Sequence, residues 1–212
     1  KISIISQRTR SNILSSLKNN PFNIEQRMNL ADQINKMQDS GTRQELNKNT
    51  RGAREAINNS SVNKAVKSQI GALVERMKEI KTLKLYREQL DDLNKKAGSL
   101  EGKAKEELKN ISSAIDKAEN LPELSEAKGS LESAKASALG EHKDLIKQLE
   151  EILGFKSDML ASRQGSQIKE KLGDSTLSQQ TIKELSEMVD EVCAAQDPGD
   201  LSQGASQLQE KT

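Results

Sequence analysis

Imidazole and thiol chemistry each have one address in this chain. The only histidine is His142 and the only cysteine is Cys193. A hydrolase or transferase needs a nucleophile, a base and a group that orients the base, all in one place. His142 falls between Ala138 and Ile146, at a seam position of an apolar repeat. A histidine there ordinarily packs its ring edge and leaves its polar tip in water. A pH-sensing role is the next reading, because a proton gained at a seam would be felt by the packing. Cys193 shares an apolar face with Val189 and Val192 and has Asp190 and Glu191 nearby. Carboxylates disfavour the thiolate, so this thiol reads as a small buried hydrophobe. A lone cysteine also excludes an intrachain disulfide and says little about redox compartment.

Carboxylates occur as adjacent pairs, at Asp91-Asp92, Glu106-Glu107 and Glu150-Glu151. Neighbouring residues on a helix do not face one another, so these pairs are solvated faces and not shared acid–base sites. The ligand spacing of a calcium loop is missing, as is any cysteine–histidine metal set. No glycine-rich phosphate loop with its following lysine and hydroxyl occurs; Gly98 to Lys105 is too loose a match. The expectation is therefore no catalytic residue, no cofactor-binding residue, no metal ligand and no cofactor. The chain reads as a non-enzyme.

Two polar or lipidic partners remain to be weighed. Lys78, Lys81 and Lys84 recur every third residue and share a helix face, with Lys95, Lys96, Lys103, Lys105 and Lys109 beyond them. Glu75, Glu79, Glu88 and Glu106 interrupt that series, and no aromatic ring is placed to stack on a base. Residues 1–121 carry 23 basic against 15 acidic side chains, and residues 122–212 carry 10 against 17. Both signs are interleaved in both halves, which fits halves of one bundle better than a nucleic-acid arm. The net charge of +1 argues the same way, against nucleic acid. No run of about 18 apolar residues exists, so membrane insertion is not expected in this segment.

Positioning falls to helices. Aromatic residues make up 1% of the chain, so a thick layered core built around rings is excluded. Leucine, isoleucine, valine, methionine and alanine suit thin helix–helix seams. Ile2, Ile5, Ile13, Leu14 and Leu17 predict an opening helix that stops at Asn19-Asn20-Pro21. Ile24, Met28, Ala31, Ile34 and Met37 recur by threes and fours and define one helix face after Phe22. Leu46, Ala53, Ala56 and Ile57 continue a poorer pattern to about Asn58.

The strongest signal follows, with Ser61 as its N-cap. Val66, Leu73 and Ile80 interleave with Ile70 and Met77, and from Leu83 a strict seven runs through Leu90, Ala97, Ala104, Ile111 and Ala118. A sustained seven-residue repeat turns one stripe toward a partner helix. It predicts one helix over 62–119, running through Gly98 and Gly102. Asn120 with Glu123 resembles a capping box, and Pro122 fits a first helical turn. The next seam is Leu124, Leu131, Ala138, Leu145 and Ile152, with His142 and Leu149 beside it and Gly154 as its stop. A weaker helix from Phe155 to Gly173 and a compact one from Leu177 to about Ala195 complete the pattern. No strand-like alternation occurs.

The fold expected is all-α: an elongated helical bundle built on a long antiparallel coiled-coil hairpin, 62–119 against 123–153. Residues 1–21 form an N-terminal helical extension, 22–196 the bundle, and 197–212, rich in Gln, Ser and Gly, a flexible tail. The chain starts at Lys1 and reads as part of a larger protein. The functional expectation is a non-catalytic protein–protein interaction or scaffolding segment that presents a long helical surface. Two alternatives stand beside it: a structural coiled coil that assembles with itself, and the helical portion of a secreted bacterial effector or translocator acting on a host protein. The partner is therefore another protein or a second copy, met through coiled-coil surfaces. The sequence assigns no compartment.

Overall fold

The computed structural model describes residues 2–173 and the helical positions 181, 182, 185, 186, 188 and 189. Among these residues the chain is all-helical, with no strand. The helices are α1 (Ile2–Asn19), α2 (Ile24–Asp39), α3 (Arg43–Asn58), α4 (Lys64–Ala97), α5 (Gly102–Lys117), α6 (Leu121–Ala134) and α7 (Lys143–Gly173), with a 3-10 turn at Ala138–Glu141. Two compact units divide the chain, Lys1–Arg87 and Glu88–Thr212.

Short polar side chains start the helices of the first unit. The Asn23 carboxamide accepts from the Gln26 amide, and Asn63 accepts from Val66. Thr42 and Glu45 close a reciprocal capping box around the start of α3. Each bond satisfies a first-turn donor that has no intrahelical acceptor. The cap of α4 is thus Asn63 and not the expected Ser61, whose hydroxyl instead bonds the Gln26 side chain. The α1–α2 pair is antiparallel, with Ser6 donating to Gln38 and Arg10 to Asn35 across it.

The core of this unit repeats itself. Buried residues fall in pairs forty positions apart: Ser6 and Leu46, Ile13 and Ala53, Leu17 and Ile57, Phe22 and Val62, Leu30 and Ile70, Ile34 and Val74, Met37 and Met77. The caps Asn23 and Asn63 keep the same spacing. One helical hairpin is used twice, α1–α2 and then α3 with the first half of α4. A single such hairpin cannot cover its apolar face alone, and stacking a second copy on it makes a shared core.

The second unit packs α5, α6 and α7 on one another. Its core includes Leu93, Leu108, Ile115, Leu124, Leu149 and Phe155, each no more than 1% exposed. The Asn120 cap appears where the sequence placed it, accepting from the Glu123 amide at 2.9 Å. Glu123 in turn accepts from the Glu119 amide and the Asn120 side chain. All three rings of the chain, Phe22, Tyr86 and Phe155, are buried.

The expected pairing of two unbroken helices over 62–119 and 123–153 is replaced by shorter elements. The first segment stops at Ala97 and restarts at Gly102, which takes a left-handed φ of 56°. The second stops at Ala134, passes through the 3-10 turn and restarts at Lys143. Gly140 explains that second break: a Cβ there would lie 2.1 Å from the Lys135 carbonyl oxygen. Gly154 does not end a helix but sits buried inside α7, which runs on to Gly173. Leu185 and Val189 bury against Leu172. Leu177, Val192, Cys193 and the tail 197–212 lie outside the described residues.

Candidate functional site

His142 does not occupy a helical seam. It sits between the 3-10 turn and α7, where its carbonyl accepts the amides of Leu145 and Ile146. Its backbone role is to start α7. Cys193 lies outside the described residues. Among the described residues, no group of three or more His, Cys, Asp or Glu side chains is arranged to hold a metal ion. No helix of those residues is long and apolar enough to cross a membrane.

One member of each carboxylate pair is engaged by another segment: Asp92 by Gln148, Glu107 by Ser137 and Glu150 by Lys135. Asp92 turns toward α7, where the Gln148 carboxamide donates to it at 2.8 Å and to the Gln89 carbonyl at 3.0 Å. Lys96 donates to the Gln148 oxygen at 3.0 Å and pairs with Asp92 at 2.7 Å. Lys96, followed by Gln148, holds the Asp92 carboxyl below the usual aspartate range. Gln148 is itself buried, so this network fixes the register of α7 against the end of α4.

Glu107 does a similar task at the second break. Its carboxylate accepts from the Ser137 hydroxyl at 2.6 Å and from the Leu139 amide at 3.1 Å. The Ser137 bond, aided by Leu139 and Lys103, lowers its pKa. Glu150 meets Lys135 at 2.7 Å, and Lys135, also bonded to Glu132, is held in its charged form. These carboxylates cap, clamp and pair. None converges on a second acid or on a nucleophile in an open cleft.

The lysine series is only partly a face to solvent: Lys95, Lys96, Lys103 and Lys109 are exposed, and Lys78 and Lys84 are half-buried. Lys81 is buried and donates to the Gln38 carbonyl in the last turn of α2 at 2.6 Å. A cation there satisfies an orphan carbonyl at the negative end of a helix. The middle of the Lys78–Lys84 series is thereby committed to the fold.

What the fold leaves unused is apolar. On α2 the buried stripe is Leu30, Ile34 and Met37, continuing from Phe22. The expected stripe is only half right: Ile24 is 77% exposed and Met28 is 68% exposed. Together with half-buried Ala31 they form a second stripe at positions i, i+4 and i+7 of the same helix. Ile4 and Ile5 are exposed as well, at the start of α1, the opposite end of the hairpin. In the second copy of the hairpin the residues at the equivalent positions are Lys64, Ser68 and Gly71. The hairpin therefore folds without apolar side chains there, and packing does not account for Ile24 and Met28.

No protein-family model matches this chain, and no match is found among curated proteins or solved structures.

Proposed function

We propose that this chain is a non-catalytic protein–protein interaction or scaffolding segment, and that α2 receives its partner on the Ile24–Met28–Ala31 stripe. The observation that carries the reading is the exposure of Ile24 and Met28 on a hairpin whose second copy is polar at both positions. Spacing of i, i+4 and i+7 is how a helix lays an apolar edge into a groove of another protein. The partner is then a protein with an apolar groove or a partner helix. Nothing in this reading asks for a reaction: the polar clusters are spent on caps and helix register.

The second hairpin supplies the control substitutions. Ile24→Lys with Met28→Ser should leave the stability read by urea titration within about 0.5 kcal/mol of the parent, as exposed changes do. The same variant should lose at least tenfold in affinity for a stoichiometric partner captured by the parent protein. Equal capture by parent and variant would remove α2 as the docking surface.

A further inference from the structure

We propose that this chain exchanges α5 and the residues after it with a second copy of itself, by straightening α4 and α5 into one helix. The exchange does not depend on the α2 stripe, so either proposal can fail without the other. Leu93, Ala97, Leu100, Ala104, Leu108 and Ile111 are all buried, and they step by fours and threes straight across the break. Those are the steps of a single helical stripe. A turn that separated two unrelated helices would have no reason to keep that phase. In a continuous helix the same residues form one unbroken seam, whose α4 half is covered by α7 of the partner chain while its α5 half keeps its own α6 and α7.

The break is held by its own turn, where the Ser99 hydroxyl donates to the Lys96 carbonyl at 2.7 Å, and not by a cap on α5. The last turn of α4 tightens through amide bonds from Gly98 to Lys95, Ser99 to Lys96 and Leu100 to Ala97, at 3.1 to 3.3 Å. No side chain caps α5 at Glu101, whereas Asn23, Thr42, Asn63 and Asn120 cap α2, α3, α4 and α6. The first turn of α5 holds no acidic residue, and Lys103 stands there against the helix dipole. Straightening gives the α5 amides the carbonyls of the preceding turn and removes that repulsion. The path is short, because only the four residues between α4 and α5 and the left-handed Gly102 must change.

Both glycines hold the turn open in opposition to the helix. A Cβ on Gly98 would lie 3.1 Å from the Lys95 carbonyl oxygen, and Gly102 has the φ that side chains rarely adopt. In a helix interior both positions prefer alanine. The two glycines thus bias each chain toward its own α5 without forbidding the exchange, and exchanging an identical element is a low-cost route to a dimer. It needs no new interface chemistry, since every contact of the exchanged form already exists within one chain.

The test uses the full chain in a Cys193→Ser background. Wild type and the Gly98→Ala/Gly102→Ala double variant are refolded at high concentration, diluted, and sized by light scattering. The exchange predicts a dimer that persists on dilution, with the association constant raised on the order of a thousandfold by the two alanines of each chain. Mixing Asp92→Cys chains with Gln148→Cys chains then identifies the topology. Those positions touch across the break, so a short bismaleimide joins two chains only when α7 of one lies on α4 of the other. Two results overturn the proposal: wild-type chain that stays monomeric throughout, or a dimer without the 92–148 cross-link. If the double variant fails to fold, the wild-type arm and its cross-link decide alone.

Discussion

Gln148 shows how a single polar side chain can hold two helices in register. Its oxygen accepts from Lys96, and its two N–H groups are shared among the Gln89 carbonyl, the Gln89 side chain and Asp92. Removing it takes away the bridge between the Lys96 and Asp92 charges and α7, and hydrogen bonds to charged groups are worth more than neutral ones. Gln148→Ala should therefore destabilise by about 2–3 kcal/mol in urea titration. Glu107 gives a pH signature instead. Its folded pKa lies below the ordinary glutamate value of about 4.5, chiefly through the Ser137 hydroxyl. A lowered carboxylate contributes stability that is complete above that ordinary value and disappears as pH falls through the lowered one. The thermal midpoints of wild type and Glu107→Gln should differ at pH 7 and converge as pH falls from the ordinary 4.5 through the lowered value. A constant gap across that range would show that the Glu107 charge is not what secures the 3-10 turn.

Breaks between helices have physical causes that apolar periodicity does not carry. Two glycines of the second unit make the contrast. Gly129 lies within α6 with open space for 4 Å around the position of an added Cβ, whereas at Gly140 that atom would strike the Lys135 carbonyl. Gly129→Ala should raise stability by about 0.5–1 kcal/mol through helix propensity. Gly140→Ala should lower it by at least about 2 kcal/mol or redirect the chain, since two backbone segments must separate. Differential scanning calorimetry reads both, and a harmless Gly140→Ala would remove the steric account of that break. Helix ends set by local chemistry were legible in the sequence: Asn19-Asn20-Pro21 and the Asn120 cap both appear where the residues put them. The turns at 98–101 and 135–142 were not, because the apolar phase continues through the first and nearly through the second. The buried face of α2 was half legible, since Ile24 and Met28 repeat by fours as a core stripe does. The repeated hairpin was concealed because only Asn19/Asn59, Asn23/Asn63 and Met37/Met77 are identical between its copies. Leu30 with Ile70 and Ile34 with Val74, forty apart, were the signal available.

With only three rings in the chain, stability at the scale of the whole molecule must come from many aliphatic contacts of similar size. Ions add little to that sum. Lys103 and Glu107 lie 3.6 Å apart with the lysine 72% exposed, and Arg54 grips Glu75 at 2.6 Å where both side chains are about 40% exposed. Pairs so open to water and salt contribute between nothing and about 1 kcal/mol. Buried aliphatic side chains carry both a transfer cost and a cavity cost when truncated. Met37 and Met77 are equivalent in the repeated hairpin and both fully buried, so replacing either by alanine should cost about 2–5 kcal/mol, and by similar amounts. Ile111→Ala should fall in the same range in the second unit, where that residue is 4% exposed. Lys103→Ala should leave the midpoint nearly unchanged. Urea titrations with an unchanged slope would read these as losses of native stability and not as changes in the unfolded chain. A Lys103→Ala penalty larger than that of Ile111→Ala would mean that charge, and not the aliphatic seam, joins these helices. Unequal penalties at Met37 and Met77 would break the equivalence of the two hairpins. Equal ones would make the polar Lys64 and Ser68 a valid measure of what the fold requires at Ile24 and Met28.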